Sequence, residues 1–414
     1  MTLAGAGIGL LSGLAPGIHV NTLASMLLMS YPSIEGTLSE FAPGSAATAT
    51  CCCVMSASVV HSFVDFVPSV FIGAPDGEDA VSVLPGHRLL LRGRGMAAVR
   101  SAAIGSLVGA SAAILLSIPF QVLLSGGAGD TLDRLTPVVL AIAVFTILFA
   151  ERRGFPWAAA TLLISGGLGY VCMELEIPSS GILGEGTLLF PLLTGLFGFP
   201  VLIETSGSGR LPPQRDVDPD PSGVLPGLKG VAMGCVAGWF PGITSTVGAT
   251  MSACIMPEGR PEGFIASVAS VGTVTSVLSL VTLSASDSGR SGTAVVIGEI
   301  AGGSLHGIMS DAFMTLLLST AIASVLGYWL TIASGMMMSS MASSVRPDRL
   351  GMAVVVTTSI LVLALTGPFG LLILACSMFV GFLPQRLGVG RTALTGCLIL
   401  PSILSSFTMR VYHH

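Results

Sequence analysis

Two Pro-Gly pairs interrupt apolar stretches of the sequence, and small polar residues follow each pair. The residues of the first group are Pro16, Gly17, His19, Asn21 and Thr22, and those of the second are Pro241, Gly242, Thr244, Ser245 and Thr246. Proline removes a backbone donor and glycine opens backbone angles closed to other residues, so each pair is expected to unwind a helix. A half-helix that starts after the break directs its N–H groups toward the gap, which suits an anion such as a carboxylate or phosphate. The alternative is a kinked helix whose hydroxyls satisfy their own backbone.

Two loops between apolar runs carry ionisable residues. One contains Asp76 and Asp79, and the other contains Asp287, Arg290 and Ser291. Ionisable groups at membrane depth are costly and are therefore functional candidates. Arg290 could bind a carboxylate through two parallel hydrogen bonds, with Ser291 beside it in the same substrate site. The three aspartates could hold a coupling ion, Na⁺ or H⁺. Charged surface hairpins are the alternative.

His61 and Asp65 lie four residues apart near the end of an apolar run. At that spacing the two side chains share one face of a helix. They could form a proton relay or a hydrogen-bonded pair at the membrane interface, and the sequence leaves both interpretations open.

Two short strings resemble motifs of intramembrane proteases. Gly127-Ala-Gly-Asp130 has the GxGD form, and Gly289-Arg-Ser291-Gly292, with His306 downstream, has the GxSG form. Strings this short arise by chance in a chain with 53 glycines. We therefore assign no catalytic residue, no metal site and no cofactor other than a coupling ion.

The composition identifies the class of protein that must position these residues. Only 9% of the 414 residues are charged and 52% are hydrophobic, whereas soluble domains carry about 25% charged residues. At roughly 20 apolar residues per span, the chain predicts an all-α polytopic membrane protein with about 10 to 12 transmembrane or re-entrant helices. Near the C-terminal end, hydropathy separates segments at 351–366 and 369–384. No separate soluble domain fits, and the composition excludes nucleic acid as a partner.

An internal repeat divides the sequence into two halves. Gly9 to Ile18 aligns with Gly234 to Ile243 at a distance of 225 positions, with five of the ten residues identical. A polar, proline-rich linker at 204–227 separates a first transmembrane repeat at 1–203 from a second at 228–414. Halves that each begin with a broken helix are typical of secondary transporters, whose binding site lies at the repeat interface.

Loop charges predict the orientation in the bilayer. The positively charged group Arg88, Arg92, Arg94 and Arg100 lies between two apolar segments, and the intervening loops on the other side are acidic. By the positive-inside rule, the arginine loop is cytoplasmic. We expect a multi-pass protein of the plasma membrane.

Several of these motifs together resemble a known family. The run Gly9-x-x-x-Gly13-x-x-Pro16-Gly17-Ile18, the Pro-Asp-Gly loop at 75–77 and the run Arg94-Gly-Met-Ala97 resemble the TctA family, the large membrane subunit of tripartite tricarboxylate transporters. Arg290-Ser291-Gly292-x-x-Val295 is similar to an element of its archaeal branch. The resemblance implies a carboxylate permease driven by a cation gradient, working with a small membrane subunit and an extracytoplasmic binding protein.

The sequence therefore predicts a secondary-active permease for an anionic small molecule, a di- or tricarboxylate, coupled to Na⁺ or H⁺. The Pro-Gly-Ile signature also resembles that of polyprenyl-phosphate translocases, which makes a lipid-carrier translocase the second hypothesis and an intramembrane protease the third. A homo-oligomer is compatible with the sequence.

Overall fold

The computed structural model describes residues 1–15, 20–41, 44–73, 80–151, 154–174, 180–182, 184–185, 188–205, 212–214, 223–240, 243–286, 289, 291–342 and 347–412. Regular structure in these ranges is helical apart from one antiparallel ladder of two-residue strands, β1 (Ser180–Gly181) and β2 (Gly184–Glu185). The predicted all-α polytopic class is confirmed.

The first half contributes ten α-helices to the described part of the chain. They are α1 (Thr2–Leu14), α2 (Val20–Phe41), α3 (Ala46–Val64), α4 (Phe66–Ile72), α5 (Val83–Leu91), α6 (Gly95–Leu123), α7 (Gly129–Ala150), α8 (Phe155–Glu174), α9 (Leu189–Leu193) and α10 (Phe199–Thr205). A 3-10 turn, Ala80–Ser82, precedes α5, and π-helical turns at Leu124–Ala128 and Thr194–Gly198 join helices directly.

The second half contributes eight α-helices within the same described ranges. They are α11 (Val224–Trp239), α12 (Ser245–Ile255), α13 (Pro261–Ser286), α14 (Gly292–Ala301), α15 (Asp311–Ala342), α16 (Pro347–Gly381), α17 (Leu383–Leu387) and α18 (Gly396–Tyr412). A 3-10 turn, Arg391–Thr395, precedes α18.

Six helical segments of the described chain are long and apolar enough to cross a bilayer. They are Ala46–Ile72, Gly95–Ala128, Phe155–Met173, Pro261–Ser286, Asp311–Met341 and Met352–Leu387. Shorter apolar helices, including α1, α11, α12 and α14, lie among them. The outer helices expose large apolar side chains such as Phe149, Trp329 and Phe379, as expected for surfaces in contact with lipid.

Two helices form the centre of the fold. In the apolar segment that starts with α3, a window of 18 residues is entirely buried, and in that of α13, 83% of such a window is buried. Glycines spaced four residues apart allow a neighbouring helix to approach each of them, as in many membrane helix pairs. A Cβ at Gly9 of α1 would lie 2.5 Å from the carbonyl oxygen of Ala57, and one at Gly234 of α11 would lie 2.6 Å from the Cβ of Val274.

The contacting residues of the two halves are related by fixed distances along the sequence. Gly9 approaches Val60 of α3 as Gly234 approaches Val274 of α13; the glycines are 225 positions apart and the valines 214. The shift is explained by the intervening helices, because α2 has 22 residues and α12 has 11. The same packing unit, a glycine-lined helix against a buried central helix, therefore occurs in both halves.

The two halves interlock rather than form separate bodies. Helix α6 of the first half packs on α13 of the second, and α15 of the second half packs on α3 of the first. A Cβ at Gly105 of α6 would contact the Ala266 carbonyl of α13. The corresponding contact joins the same elements with the halves exchanged: Ser319 of α15 lies 214 positions after Gly105, and Cys52 of α3 lies 214 positions before Ala266. Ser319 donates a hydrogen bond to the Cys52 carbonyl at 3.3 Å.

The helices stop before both Pro-Gly pairs and restart after them, as the sequence predicts. Ala15, after α1, already has extended backbone angles (φ −99°, ψ 100°), and α2 begins at Val20. Phe240, after α11, is likewise extended (φ −85°, ψ 125°), and α12 begins at Ser245. We call residues 15–20 the first break and residues 240–245 the second break.

The apolar runs 351–366 and 369–384 lie mostly in α16, as two helical stretches on either side of a kink at Gly367 (φ 68°, ψ −165°) just before Pro368, where the sequence separates them. Those angles are open to glycine and essentially closed to other residues, so the bend needs no loop. Helix α11 begins at Val224, so residues 224–227 of the predicted linker are helical.

The described part of the linker is fixed to the first half. Gln214 accepts a hydrogen bond from the Gly95 N–H at 3.0 Å through Oε1, and its Nε2 donates to the Leu90 carbonyl at 3.2 Å. The described linker residues therefore pack against the chain between α5 and α6.

Candidate functional site

Only some of the predicted site residues can be placed. Outside the described residues lie Pro16, Gly17, His19, Pro241, Gly242 and Arg290 of the predicted substrate site and Asp76, Asp79 and Asp287 of the predicted coupling-ion site. The backbone of Asn21 and Thr22 lies in the first turn of α2, just after the first break. Thr244, Ser245, Thr246 and Ser291 are described in full. The functional roles of all these residues remain predictions.

At the second break, hydroxyl residues begin helix α12. Thr244 has extended backbone angles (φ −78°, ψ 162°), and its Oγ1 accepts a hydrogen bond from the Val247 N–H at 3.3 Å. Ser245 and Thr246 occupy the first turn and are buried. The Thr244 hydroxyl therefore satisfies its own helix backbone, as the kinked-helix alternative expects. A hydroxyl keeps one O–H donor in such a contact, so capping and ligand binding are compatible.

A second group of hydroxyls begins helix α14. Ser291 Oγ accepts from the Ala294 N–H at 3.2 Å, accepts from Ser279 Oγ at 3.1 Å, and lies 3.0 Å from Thr293 Oγ1. These contacts tie the start of α14 to the central helix α13. They are the contacts of a helix-capping serine, whereas a serine nucleophile hydrogen-bonds to a general base.

Each half places the end of its ionisable loop against the broken helix of the other half. The turn Ala80–Ser82, which directly follows Asp79, packs against α12 and α13. Helix α14, which directly follows Arg290 and Ser291, packs against α2 and α3, and Cys51 Sγ of α3 approaches the Ile297 carbonyl of α14 at 3.7 Å. The structure thus places the element that follows each ionisable loop against the helix that follows the break of the opposite half, which the sequence alone did not reveal.

Near the first break, the structure adds a buried ionisable pair that the site prediction had not included. Ser12, close to the end of α1, has its Oγ 2.9 Å from His61 Nδ1 of α3. Asp65, one turn further along, lies at the junction of α3 and α4 and is 3% exposed. The residue of α13 that corresponds to Asp65, 214 positions later, is Ser279, whose hydroxyl contacts Ser291. The spacing of His61 and Asp65 was the only sequence signal for this pair.

Metal ligands do not cluster in the described residues: no group of three or more His, Cys, Asp or Glu side chains there is placed to hold a metal ion.

Comparison with known proteins places this architecture in context. The family model described as "Tripartite tricarboxylate transporter TctA family" matches residues 1–396. The uncharacterized protein MJ1079 of Methanocaldococcus jannaschii is 26% identical over 325 residues, which cover 77% of this chain and 76% of the relative. No solved structure matches the chain.

Proposed function

The chain belongs to the tripartite tricarboxylate transporter TctA family and is a multi-pass component of a membrane transporter, and from this we propose that it is the secondary-active permease for a di- or tricarboxylate. The family is tripartite, which implies partner components. We propose that these are a small membrane subunit and an extracytoplasmic binding protein, and that the assembly works in the plasma membrane.

One observation supports this proposal more than any other: the loop of each half ends against the broken helix of the opposite half. Helix α12 begins after the second break and α14 begins after the loop with Arg290, and at the start of a helix the N–H groups and the positive dipole end favour an anion. At the described helix starts, Thr244 and Ser291 add hydroxyl groups. The predicted Arg290 would add a charge that pairs with a carboxylate in bidentate fashion.

The coupling ion is the second part of the proposal. Asp76, Asp79 and Asp287 are retained as its candidate ligands, since oxygen ligands suit Na⁺ and a carboxylate can carry a proton. The end of the loop with Asp79 leads into a turn packed on α12 and α13. A cation held by this loop would lie near α12, the helix that begins after the second break.

The proposal can be tested by ligand-induced stabilisation of the purified protein. Citrate, succinate and a polyprenyl phosphate are titrated in detergent, each in Na⁺ and in K⁺, and thermal unfolding is measured. A ligand that binds only the folded state stabilises it by about 2.7 kcal/mol at 100 times its Kd. We expect a carboxylate to raise the melting temperature and the double variant Thr244→Val, Ser291→Ala to bind it at least about tenfold more weakly.

A matched control is Thr146→Val. This threonine is exposed on α7, and its hydroxyl donates to the Ile142 carbonyl at 2.7 Å within its own helix, so carboxylate binding should stay at the wild-type level. Unchanged binding by the double variant would exclude these helix starts as the substrate site. Stabilisation by the polyprenyl phosphate alone would instead favour a lipid-carrier translocase.

A further inference from the structure

In each half, the helix before the break runs in the same direction as the central helix on which it packs. Three glycines of the shorter helix meet residues that lie successively further along the central helix. These contacts are Gly5 with Cys53, Gly9 with Val60 and Gly13 with Val64 in the first half, and Gly230 with Ser267, Gly234 with Val274 and Gly238 with Leu278 in the second. We call α1 with α3 the first unit and α11 with α13 the second unit; the helices within each unit are parallel.

Each central helix is also parallel to the long helix that packs on it from the other half. The contacts again advance together along both helices of a pair. They are Gly105 with Ala266 and Gln121 with Ser284 for α6 and α13, and Ser319 with Cys52 and Gly327 with Phe63 for α15 and α3. The direction of α6 therefore gives that of the second unit, and the direction of α15 gives that of the first unit.

Helices α6 and α15 run in opposite directions. Gly335, near the end of α15, lies against Val99 near the start of α6. The loop before α15 lies at the other end of α6, where the Met309 N–H donates to Gln121 Oε1 at 3.0 Å. The first unit is therefore inverted relative to the second, and the two helices that lead to the breaks enter the bilayer from opposite sides.

Each break lies towards the membrane face opposite to the one at which its helix enters. Gly13, two residues before the first break, meets Val64, which lies eight residues before the end of α4. Gly238, two residues before the second break, meets Leu278, which lies eight residues before the end of α13. At 1.5 Å per residue, both distances are about 12 Å. Because α6 starts beside the arginine loop, which the positive-inside rule places in the cytoplasm, the second break lies towards the extracytoplasmic face and the first break towards the cytoplasmic face.

We infer that the two broken helices line opposite ends of one transport path, with the second break at its extracytoplasmic end and the first break at its cytoplasmic end. The inference rests on the proposed transport function. Ser279, which follows Leu278 on α13, contacts Ser291, so the start of α14 lies at the depth of the second break and belongs to the extracytoplasmic end. A carboxylate then passes two helix starts in succession, rather than binding at one place at the repeat interface.

The orientation of the units is tested with an epitope inserted after Gly44, between α2 and α3, or after Gly259, between α12 and α13. A Cβ at either glycine would meet no atom within 4 Å, so both loops have room for an insertion. In intact spheroplasts an antibody should bind the epitope after Gly44, whereas the epitope after Gly259 should be reached only once the membrane is permeabilised. Binding of both on the same side would overturn the inference, because the units would then be parallel. The reverse pattern would overturn the assignment of the two ends.

Access to the breaks is tested with Ala15→Cys and Thr244→Cys, both at half-buried positions, and a charged thiol reagent that does not cross membranes. Labelling of the wild type, with its eight cysteines, is the background. Thr244→Cys should react in spheroplasts and Ala15→Cys only in inside-out vesicles. The control Ala102→Cys, at a fully buried position of α6, should react in neither. Reaction of both break variants from the same side, or no reaction above that of the control, would overturn the inference.

Protection by substrate separates this inference from the proposed function. Citrate or succinate on the extracytoplasmic side should slow the labelling of Thr244→Cys, because the carboxylate occupies the same end of the path. Labelling from the expected sides without protection by either compound would contradict the carboxylate substrate, whereas protection with labelling from the wrong side would contradict only the orientation.

Discussion

The unit of α1 with α3 and the unit of α11 with α13 share their packing but not their polar chemistry. Both join a glycine-lined helix to a buried central helix at matching positions. Where the first unit carries Asp65, the second carries Ser279, whose hydroxyl holds the start of α14. A common backbone arrangement thus supports an ionisable group in one half and a hydroxyl group in the other.

The difference separates what the scaffold requires from what the site requires. Close contact between two helices requires a residue without a side chain, and Gly9 and Gly234 both meet this requirement. The polar positions face no such steric constraint, so their chemistry could diverge. Substitutions of the glycines should therefore affect both halves equally, and substitutions of the polar residues should affect them differently.

The largest effect is expected from the glycines. Gly9→Val and Gly234→Val each place a branched side chain within 2.5 to 2.6 Å of the facing central helix. Overpacking typically costs 1 to 3 kcal/mol and can cost more, and here we expect about 3 kcal/mol or more because a backbone or Cβ atom must move. Monodisperse yield and melting temperature by fluorescence-detected size exclusion measure the result.

The control for this pair lies on the same helix. A Cβ at Gly7 of α1 would meet no atom within 4 Å, so Gly7→Val should leave the yield near that of the wild type. If one of the two glycine positions tolerated valine, the units would not share a scaffold and the comparison between the halves would fail.

The next effect should distinguish the halves. Asp65→Asn keeps the shape of a buried side chain and removes its ionisable carboxyl group, whereas Ser279→Ala removes one hydroxyl that donates to Ser291. We expect transport in vesicles to fall by at least about tenfold for Asp65→Asn, because buried ionisable groups in membranes are costly and are typically functional. For Ser279→Ala, the loss of one hydrogen bond of about 1 kcal/mol predicts about a fivefold fall.

Membrane expression of both variants must be matched before transport rates are compared. If the Asp65→Asn variant transported substrate as fast as the Ser279→Ala variant or faster, the ionisable group of the first half would have no functional role. The chemical difference between the units would then be incidental.

The sequence predicted those features that depend on local chemistry. Pro16 and Pro241 each lack the N–H that continues a helix, and the helices stop just before both. The bend at Gly367 shows the limit, because hydropathy marks an interruption there without saying whether a loop or a kink fills it. Contacts between distant residues, such as Ser12 with His61, depend on how whole helices pack. The same holds for the placement of each loop against the opposite half, which no local pattern encodes.

The smallest effect should come from the contact that the second unit lacks. Ser12 Oγ lies 2.9 Å from His61 Nδ1. The corresponding residues of the second unit are Ala237 and Thr275, and the Thr275 hydroxyl donates to the Val271 carbonyl of its own helix. Ser12→Ala should destabilise the protein by about 1 kcal/mol, which is about 1 to 2 °C in melting temperature for a chain of this size. Ser62→Ala on α3 is the control, since that buried hydroxyl donates to the Val59 carbonyl of its own helix at 2.9 Å. An equal shift for both serines would mean that the contact between α1 and α3 adds nothing beyond glycine packing, and the first unit would then differ from the second only at Asp65.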